Sequence, residues 1–253
     1  MPGTSTAKNP NGVEILFEES THKYSSVVDG KKISYTSGTA FVHSFFPKFD
    51  EDRISFFVAK KKGVSQKEIL DEWHEKRDRS CYFGTKVHET AEDVLLGRTE
   101  FRNIPQNASE EIVFEKAKKY AMKFKDSMEI LGVEKIVFDP DLRIAGTIDL
   151  LMRSKKDGSI VIADWKTNES IKQDPIYDYG LHPIEHVPNL NYYHYAMQLN
   201  LYQFLLVYSG IFPKDTVFKR VIIHLNEVDS AVYQLPDYQS EIKDMAIDFL
   251  ARR

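Results

Sequence analysis

The chain predicts a mixed α/β fold built on a central sheet, and three observations lead there. Residues 109–132 carry an apolar stripe at helical spacing. Three segments of strand character follow it without an intervening helix, "EKIVFD", "RIAGTIDLLMR" and "SIVIADWKT". An apolar helix near 192–209 and a further strand, "VFKRVIIHL", then complete the order α, α, β, β, β, α, β from residue 84 onward.

From the N-terminus, "MPGTSTAKNPNG" has neither a basic nor an apolar run, so residues 1–12 read as a loose, disordered tail rather than a secretory leader. Residues 13–36 read as a β-hairpin, "VEILFEES", "HKYSSVV" and "KKISYT", turning at Asp29-Gly30. "SGTAFVHSFF" is helical and stops before Pro47, while "DEDRISFFVAKKKG" opens on acids and closes on lysines and a glycine, in the sense the helix dipole favours. "SQKEILDEWHEKRDRS" starts with the capping-box pair Ser65 and Glu68. A separate helix, "GTKVHETAEDVLLG", ends at Gly97. In 109–132, Ile112, Ala117, Ala121, Phe124, Met128 and Leu131 make the stripe, with Gly132 expected just past the helix end. "AVYQL" and a helix over 237–251 finish the chain. The N-terminal hairpin and helices, 13–80, are expected to pack on a core spanning 81–253.

Composition narrows the function. With 34 basic and 38 acidic residues the formal charge is −4, so any polyanion site must be a local patch. Cys81 is the one cysteine, which excludes an intrachain disulfide and any multi-cysteine zinc or iron–sulfur site. The stretch from His186 to Pro213 lacks Lys, Arg, Asp and Glu, but its Asn, Gln and His suit a buried helix better than a membrane span. A soluble, intracellular protein is the expectation.

The strand pair around Asp157-Gly158 brings the first chemistry. With those two residues as a tight turn, Lys156 pairs with Ser159, Asp149 with Lys166 and Leu151 with Asp164. Asp149, Asp164 and Lys166 then share one face, within reach of a divalent cation bridging the carboxylates. Trp165 points to the other face, where packing is its expected task. An ordinary cross-strand ion pair is the alternative, but Asp149 interrupts the apolar run "IAGTIDLLM", where a buried acid is costly without a cation. Gly146, three residues earlier, marks a close approach. His88 and Glu92 lie i, i+4 on one helix, and Gln198 and Tyr202 lie i, i+4 on another. Taken alone, His88 reads better as a capping or core histidine and Tyr202 as core, and neither pair is specific singly.

Together, "GTKVHETAE", "AGTIDLL", "DWKT" and "QLNLY" resemble the PD-(D/E)XK nuclease superfamily, and more narrowly its RecB-like exonuclease branch of mitochondrial genome maintenance exonucleases and phage and viral relatives. The resemblance spans about residues 84–207 and implies a restriction-endonuclease-like αβββαβ core. By resemblance, His88, Asp149 and Asp164 are metal ligands, joined by the Trp165 backbone carbonyl, and Lys166 positions or activates the attacking water. Asp149, Asp164 and Lys166 form the catalytic set. Gln198, Tyr202 and Glu92 support the site or contact nucleic acid, and Glu134 stands where relatives often carry an acid without being taken as a ligand. The cofactor implied is one or two Mg²⁺ or Mn²⁺ ions, with no iron–sulfur cluster. The implied substrate is DNA, single-stranded or with free ends, handled in replication, recombination or repair alongside proteins of those processes; no membrane is involved. Endonucleolytic action on DNA or RNA, and a catalytically inactive nucleic-acid-binding fold, stay open.

Two further expectations concern binding surfaces. Lys116, Lys119 and Lys123 form a stripe that reads as a solvated face or a phosphate contact, and Lys60, Lys61 and Lys62 lie elsewhere. The segment between Lys166 and Gln198, with Tyr177, Tyr179, His182, His186, Tyr192 and Tyr193, is either a strand-guiding flap or a loop packed by its own tyrosines.

Overall fold

The computed structural model describes residues 3–174 and 178–253. The chain opens with four antiparallel strands, β1 (Thr4–Lys8), β2 (Glu14–Glu18), β3 (Lys23–Val28) and β4 (Lys31–Ser37). Part of the expected loose tail is therefore ordered as β1. Asp29 and Gly30 both adopt left-handed φ, 49° and 73°, as the tight turn between β3 and β4 requires. Helix α1 (Gly38–His43) follows, capped by Ser37, and α2 (Glu51–Lys62) is capped by Asp50 and ended by left-handed Gly63.

Helix α3 runs unbroken over Gln66–Leu95, and the capping box at Ser65 and Glu68 forms as anticipated. The separate helices expected over 65–80 and 84–97 are one helix, so the division expected at residue 80 falls inside it. Gly84 is tolerated mid-helix because the chain beyond β7 crosses there: a Cβ on Gly84 would lie 3.3 Å from Thr167 Oγ1.

Helix α4 (Ala108–Ser127) ends earlier than its apolar stripe suggests, and Met128 begins β5 (Met128–Asp139). The last turn of the stripe goes to the sheet because Met128–Asp139 pairs along nearly the whole of β6 (Ile144–Ser154). Pairing over that length outweighs the local helical preference. Strand β7 (Ile160–Lys166), helix α5 (Asn191–Tyr208), strands β8 (Phe218–Leu225) and β9 (Ser230–Gln234) and helix α6 (Gln239–Ala251) complete the order.

The strands form a single mixed sheet in the order β1-β2-β3-β4-β6-β7-β8-β9, with β5 on the other side of β6. β4 pairs with β6 in parallel at Ile144 and Ala145, and β7 pairs with β6 antiparallel at Leu150–Arg153. Both sets of residues also pair with β5, so β4 and β7 must share the opposite edge of β6. Between them, Gly146–Asp149 face a window in the ladder. One apolar layer joins α1, α5 and α6 to Ile160 and Ile162; the other joins α3 and α4 to Val161, Ala163 and Trp165. Trp165 thus packs as expected, 2% exposed and near Phe124.

The β6–β7 register corrects the sequence reading. The connection is not a two-residue turn: Ser154 N–H donates to the Ser159 carbonyl across Lys155–Gly158. Asp157 does not act as a turn residue with left-handed φ. Its Oδ1 accepts from Ser159 N and Oγ, and its Oδ2 pairs with Lys219 Nζ at 2.6 Å. Leu150 faces Ala163, so the alignment continues to place Asp149 against Asp164 rather than Lys166. A displacement of two residues preserves the face, so Asp149, Asp164 and Lys166 still share a side.

Candidate active site

The window in the ladder is where the polar side chains gather. Asp149, on its β6 margin, is half-buried and turns Oδ2 to the Trp165 N–H at 2.9 Å. This side-chain bond takes a donor that a continued ladder would have used. His88 reaches the same oxygen from α3, with Nδ1 3.2 Å from Asp149 Oδ2. Its Nε2 lies 2.9 Å from the Trp165 carbonyl.

A carbonyl only accepts, so Nε2 donates to it. Nδ1 faces the Asp149 carboxylate oxygen, where a proton on Nδ1 makes an ion pair and an unprotonated Nδ1 leaves a nitrogen and an oxygen that a cation can bridge. The Trp165 carbonyl, expected as a ligand, orients the His88 ring through one lone pair, as backbone carbonyls commonly do for metal-binding imidazoles, and keeps a second.

Glu134 completes the cluster. Ligand atoms of His88, Glu134 and Asp149 lie within 4.8 Å of one another. From the sequence, Glu134 is not expected as a ligand. It is within β5, and its neighbours Val133 and Lys135 pair with Leu150 and Ile148, which puts Glu134 opposite Asp149. The missed signal was the pairing of "VEK" with "IDL", hidden by the assignment of Met128–Leu131 to a helix. Glu134 has φ 48°, a left-handed backbone rare for a non-glycine residue in a strand and of a kind that gathers at functional sites.

Asp164 is 4% exposed, and its Oδ2 lies against Lys166 Nζ without a hydrogen bond of acceptable geometry. Burial, then the charge of Asp149, lifts Asp164 to about 6, against the pull of Lys166. Burial alone would depress Lys166, but Asp164 and Asp149 outweigh it and raise its pKa, so the ammonium is retained. The Lys166 ammonium also sits 4.8 Å from the ring centroid of Tyr195, a contact the sequence did not suggest. Glu134 keeps exposed surface as a residue, yet the surrounding protein and then Asp149, Glu92 and Asp164 push its carboxyl up to about 9.

Crowded acids of raised pKa are what a cation site looks like before the cation's own charge is counted. Carboxylate oxygens plus one imidazole suit Mg²⁺ or, with more weight on the nitrogen, Mn²⁺. The residues present therefore fit a divalent ion.

The supporting residues divide. Tyr202 is 3% exposed and lies over Gly146, where a Cβ would come within 2.4 Å of its ring. Gly38 flanks the same ring, with a would-be Cβ at 2.9 Å. The close approach expected at Gly146 is thus made by Tyr202, which fills the window, and Gln198 Nε2 donates to its hydroxyl at 2.8 Å. Glu92 is held by Arg98 and Arg102, which also clamp the fully buried Asp93. Lys116 is committed elsewhere, donating to the carbonyls of Asn226, Glu227 and Asp229, so the expected lysine stripe lacks its first member. Between Lys166 and Gln198, Ile184 and Val187 are buried, His186 meets Glu241, and Tyr193, in the first turn of α5, donates to the Gln173 carbonyl. Tyr179 and Leu181 stay exposed, and Tyr177 lies outside the described residues.

A histidine and converging acids at the open end of a mixed sheet, with a lysine ion-paired to one acid, define a class of metal-binding site. The sequence profile of the PD-(D/E)XK nuclease superfamily matches residues 40–249, and the chain belongs to that superfamily. No curated protein matches the chain significantly. Among solved structures the chain is similar to SSO0001, with 15% identity over 67% of this chain and 74% of that one, at a TM-score of 0.27. No described helix is long and apolar enough to cross a membrane.

Proposed function

We propose that this nuclease hydrolyses DNA phosphodiester bonds as an exonuclease, acting on single strands or free ends in replication, recombination or repair. The observation that carries the metal-dependent part is the convergence of His88, Glu134 and Asp149, whose ligand atoms lie within 4.8 Å of one another. His88, Glu134, Asp149 and Asp164 would hold the ion. When bound, Mg²⁺ or Mn²⁺ supplies Lewis-acid polarisation of the phosphate and makes water a stronger nucleophile.

The chain's own groups do the rest. Lys166, kept protonated beside Asp164, sets a positive charge where a non-bridging phosphate oxygen gathers negative charge. The Trp165 N–H and carbonyl fix Asp149 and His88, so the ligand set is held before substrate arrives. Water adds to phosphorus, the bond to the 3′ oxygen breaks, and that oxygen leaves with a proton. The exonuclease part is favoured by Gln198 and Tyr202, which match the RecB-like branch.

End-labelled linear and circular DNA and RNA, incubated with Mn²⁺ or Mg²⁺, test this reading. Linear DNA should be degraded from its ends and circular single strands spared. Asp164→Ala and Lys166→Ala should each lower the rate by at least about a hundredfold, the scale of a lost electrostatic group. Wild-type rates in both variants would remove the assignment, and cleavage of circles would replace exonuclease with endonuclease.

A further inference from the structure

Two hollows open beside the candidate site. The smaller, about 360 Å³, is lined by Lys166, Tyr195, Gln198, His43 and His194. The larger, about 1160 Å³, is also lined by His43 and His194, and extends away over Phe49 and α2. The rings of His43 and His194 stand 5.3 Å apart at the boundary of the two. The two hollows therefore adjoin at these rings, one beside the Lys166 ammonium and the other beside the N-terminal helices.

The far part of this path has a definite chemistry. Arg53, Phe57 and Lys61 succeed one another at four-residue intervals and so line one face of α2. Phe49 and Phe57 are 66% and 58% exposed, although Trp73 stands 5.8 Å from the first ring and Phe56 meets the second edge-on at 5.6 Å. Lys62 is paired with Glu72, whereas Lys48, Arg53 and Lys61 hold no side-chain ion pair or hydrogen bond among the described residues. The two acids on the wall are already engaged: Asp50 caps α2 and Asp178 accepts from Asn189. The wall thus offers free cations interleaved with open aromatic faces. An unpaired nucleic-acid strand matches that pattern, through phosphates on the cations and bases on the rings. A duplex, its bases already stacked, does not use the rings.

We infer that the groove from Phe49 and α2 past His43 and His194 to Lys166 is the track of a single nucleic-acid strand, with Phe49 and Phe57 as base-stacking platforms and Arg53 and Lys61 as phosphate contacts. The inference rests on the nuclease reading of the Lys166 site, but its test does not need cleavage.

Binding of fluorescein-labelled oligothymidylate and of a duplex of equal length is followed by anisotropy in EDTA, with the full chain. The single strand should bind more tightly. Phe49→Ala with Phe57→Ala should weaken it about tenfold or more for each ring removed. Phe49→Tyr with Phe57→Tyr should retain binding, which separates stacking from any effect on folding. Arg53→Gln with Lys61→Gln should lower the salt slope by about 0.7 for each cation removed from a phosphate. Unchanged single-strand affinity in the alanine variant overturns the inference, as does equal weakening of duplex and single strand. Sedimentation of the same variants supplies the remaining outcome: a dimer that dissociates on removal of the two rings makes this face a self-association surface and also overturns it. Manganese-dependent cleavage by the unaltered protein reports the metal site separately, so either idea can fail alone.

Discussion

Several side chains at the site hold geometries that make sense only together. Glu134 is the sharpest case, because its left-handed φ carries a backbone cost of about 1–2 kcal/mol for a residue with a Cβ. Glu134→Gly should therefore unfold at higher denaturant than Glu134→Ala, while both lose metal affinity. Equal stability of the two variants would argue against strain at this residue. Gly146→Ala should lose about 1–3 kcal/mol, since the new methyl meets the Tyr202 ring at 2.4 Å and that ring is confined by Gly38 as well. Chemical denaturation measures the loss, and pairing with Tyr202→Phe should not restore it, because the clash is with the ring and not the hydroxyl. The residues Asp149, Asp164 and Lys166 were legible in the sequence because face depends only on parity, which the two-residue register error left intact. The role of Trp165's carbonyl was not legible, because the chain gives no sign of the direction from which the His88 ring arrives.

The elements show where local preference governs and where it yields. The caps of α2 and α3 and the Asp29-Gly30 turn form as their sequences indicate, since each is satisfied by neighbours within a few residues. The start of β5 and the continuity of α3 are not legible locally, because partners distant in sequence decide both: β6 for the one, and the packing of α4 and the approach of Thr167 for the other. Helix α5 carries a pH-sensitive member. Burial, then the charge of His43, lowers His194 to about 4, with Asp178 opposing; Phe46 packs on its ring and Asn189 bonds its Nε2. The folded state prefers His194 neutral, so the unfolded chain binds the proton more readily between that value and the ordinary 6.5. Stability from this residue is complete above the upper value and falls as the pH drops toward the lower one. Denaturation at pH 7 and pH 5 should differ by about 1 kcal/mol more in the natural protein than in His194→Asn, since solvent at the partly exposed ring screens part of the shift. A pH difference that survives the substitution intact would assign the effect to other groups.

At the scale of the whole molecule, the acids around the window repel one another until a cation joins them. A divalent ion that binds only the folded chain should stabilise it by about 2.7 kcal/mol at a hundred times its dissociation constant. Thermal unfolding with and without Mn²⁺ reads this directly, and Asp149→Asn should abolish the shift. A natural protein whose melting ignores Mn²⁺ would refute a preformed site. The N-terminal strands belong to this picture through a connection that their place in the chain conceals. β4 holds one end of the β6 edge and β7 the other, Tyr24 on β3 meets Thr147 at 2.8 Å in the interval, and Gly38, directly after β4, walls in Tyr202. The opening in which Asp149 stands is thus a frame with one jamb from Lys31–Ser37 and the other from Ile160–Lys166, more than a hundred residues apart in the chain. A truncation that removed the first four strands would leave the acids attached to an unsupported sill.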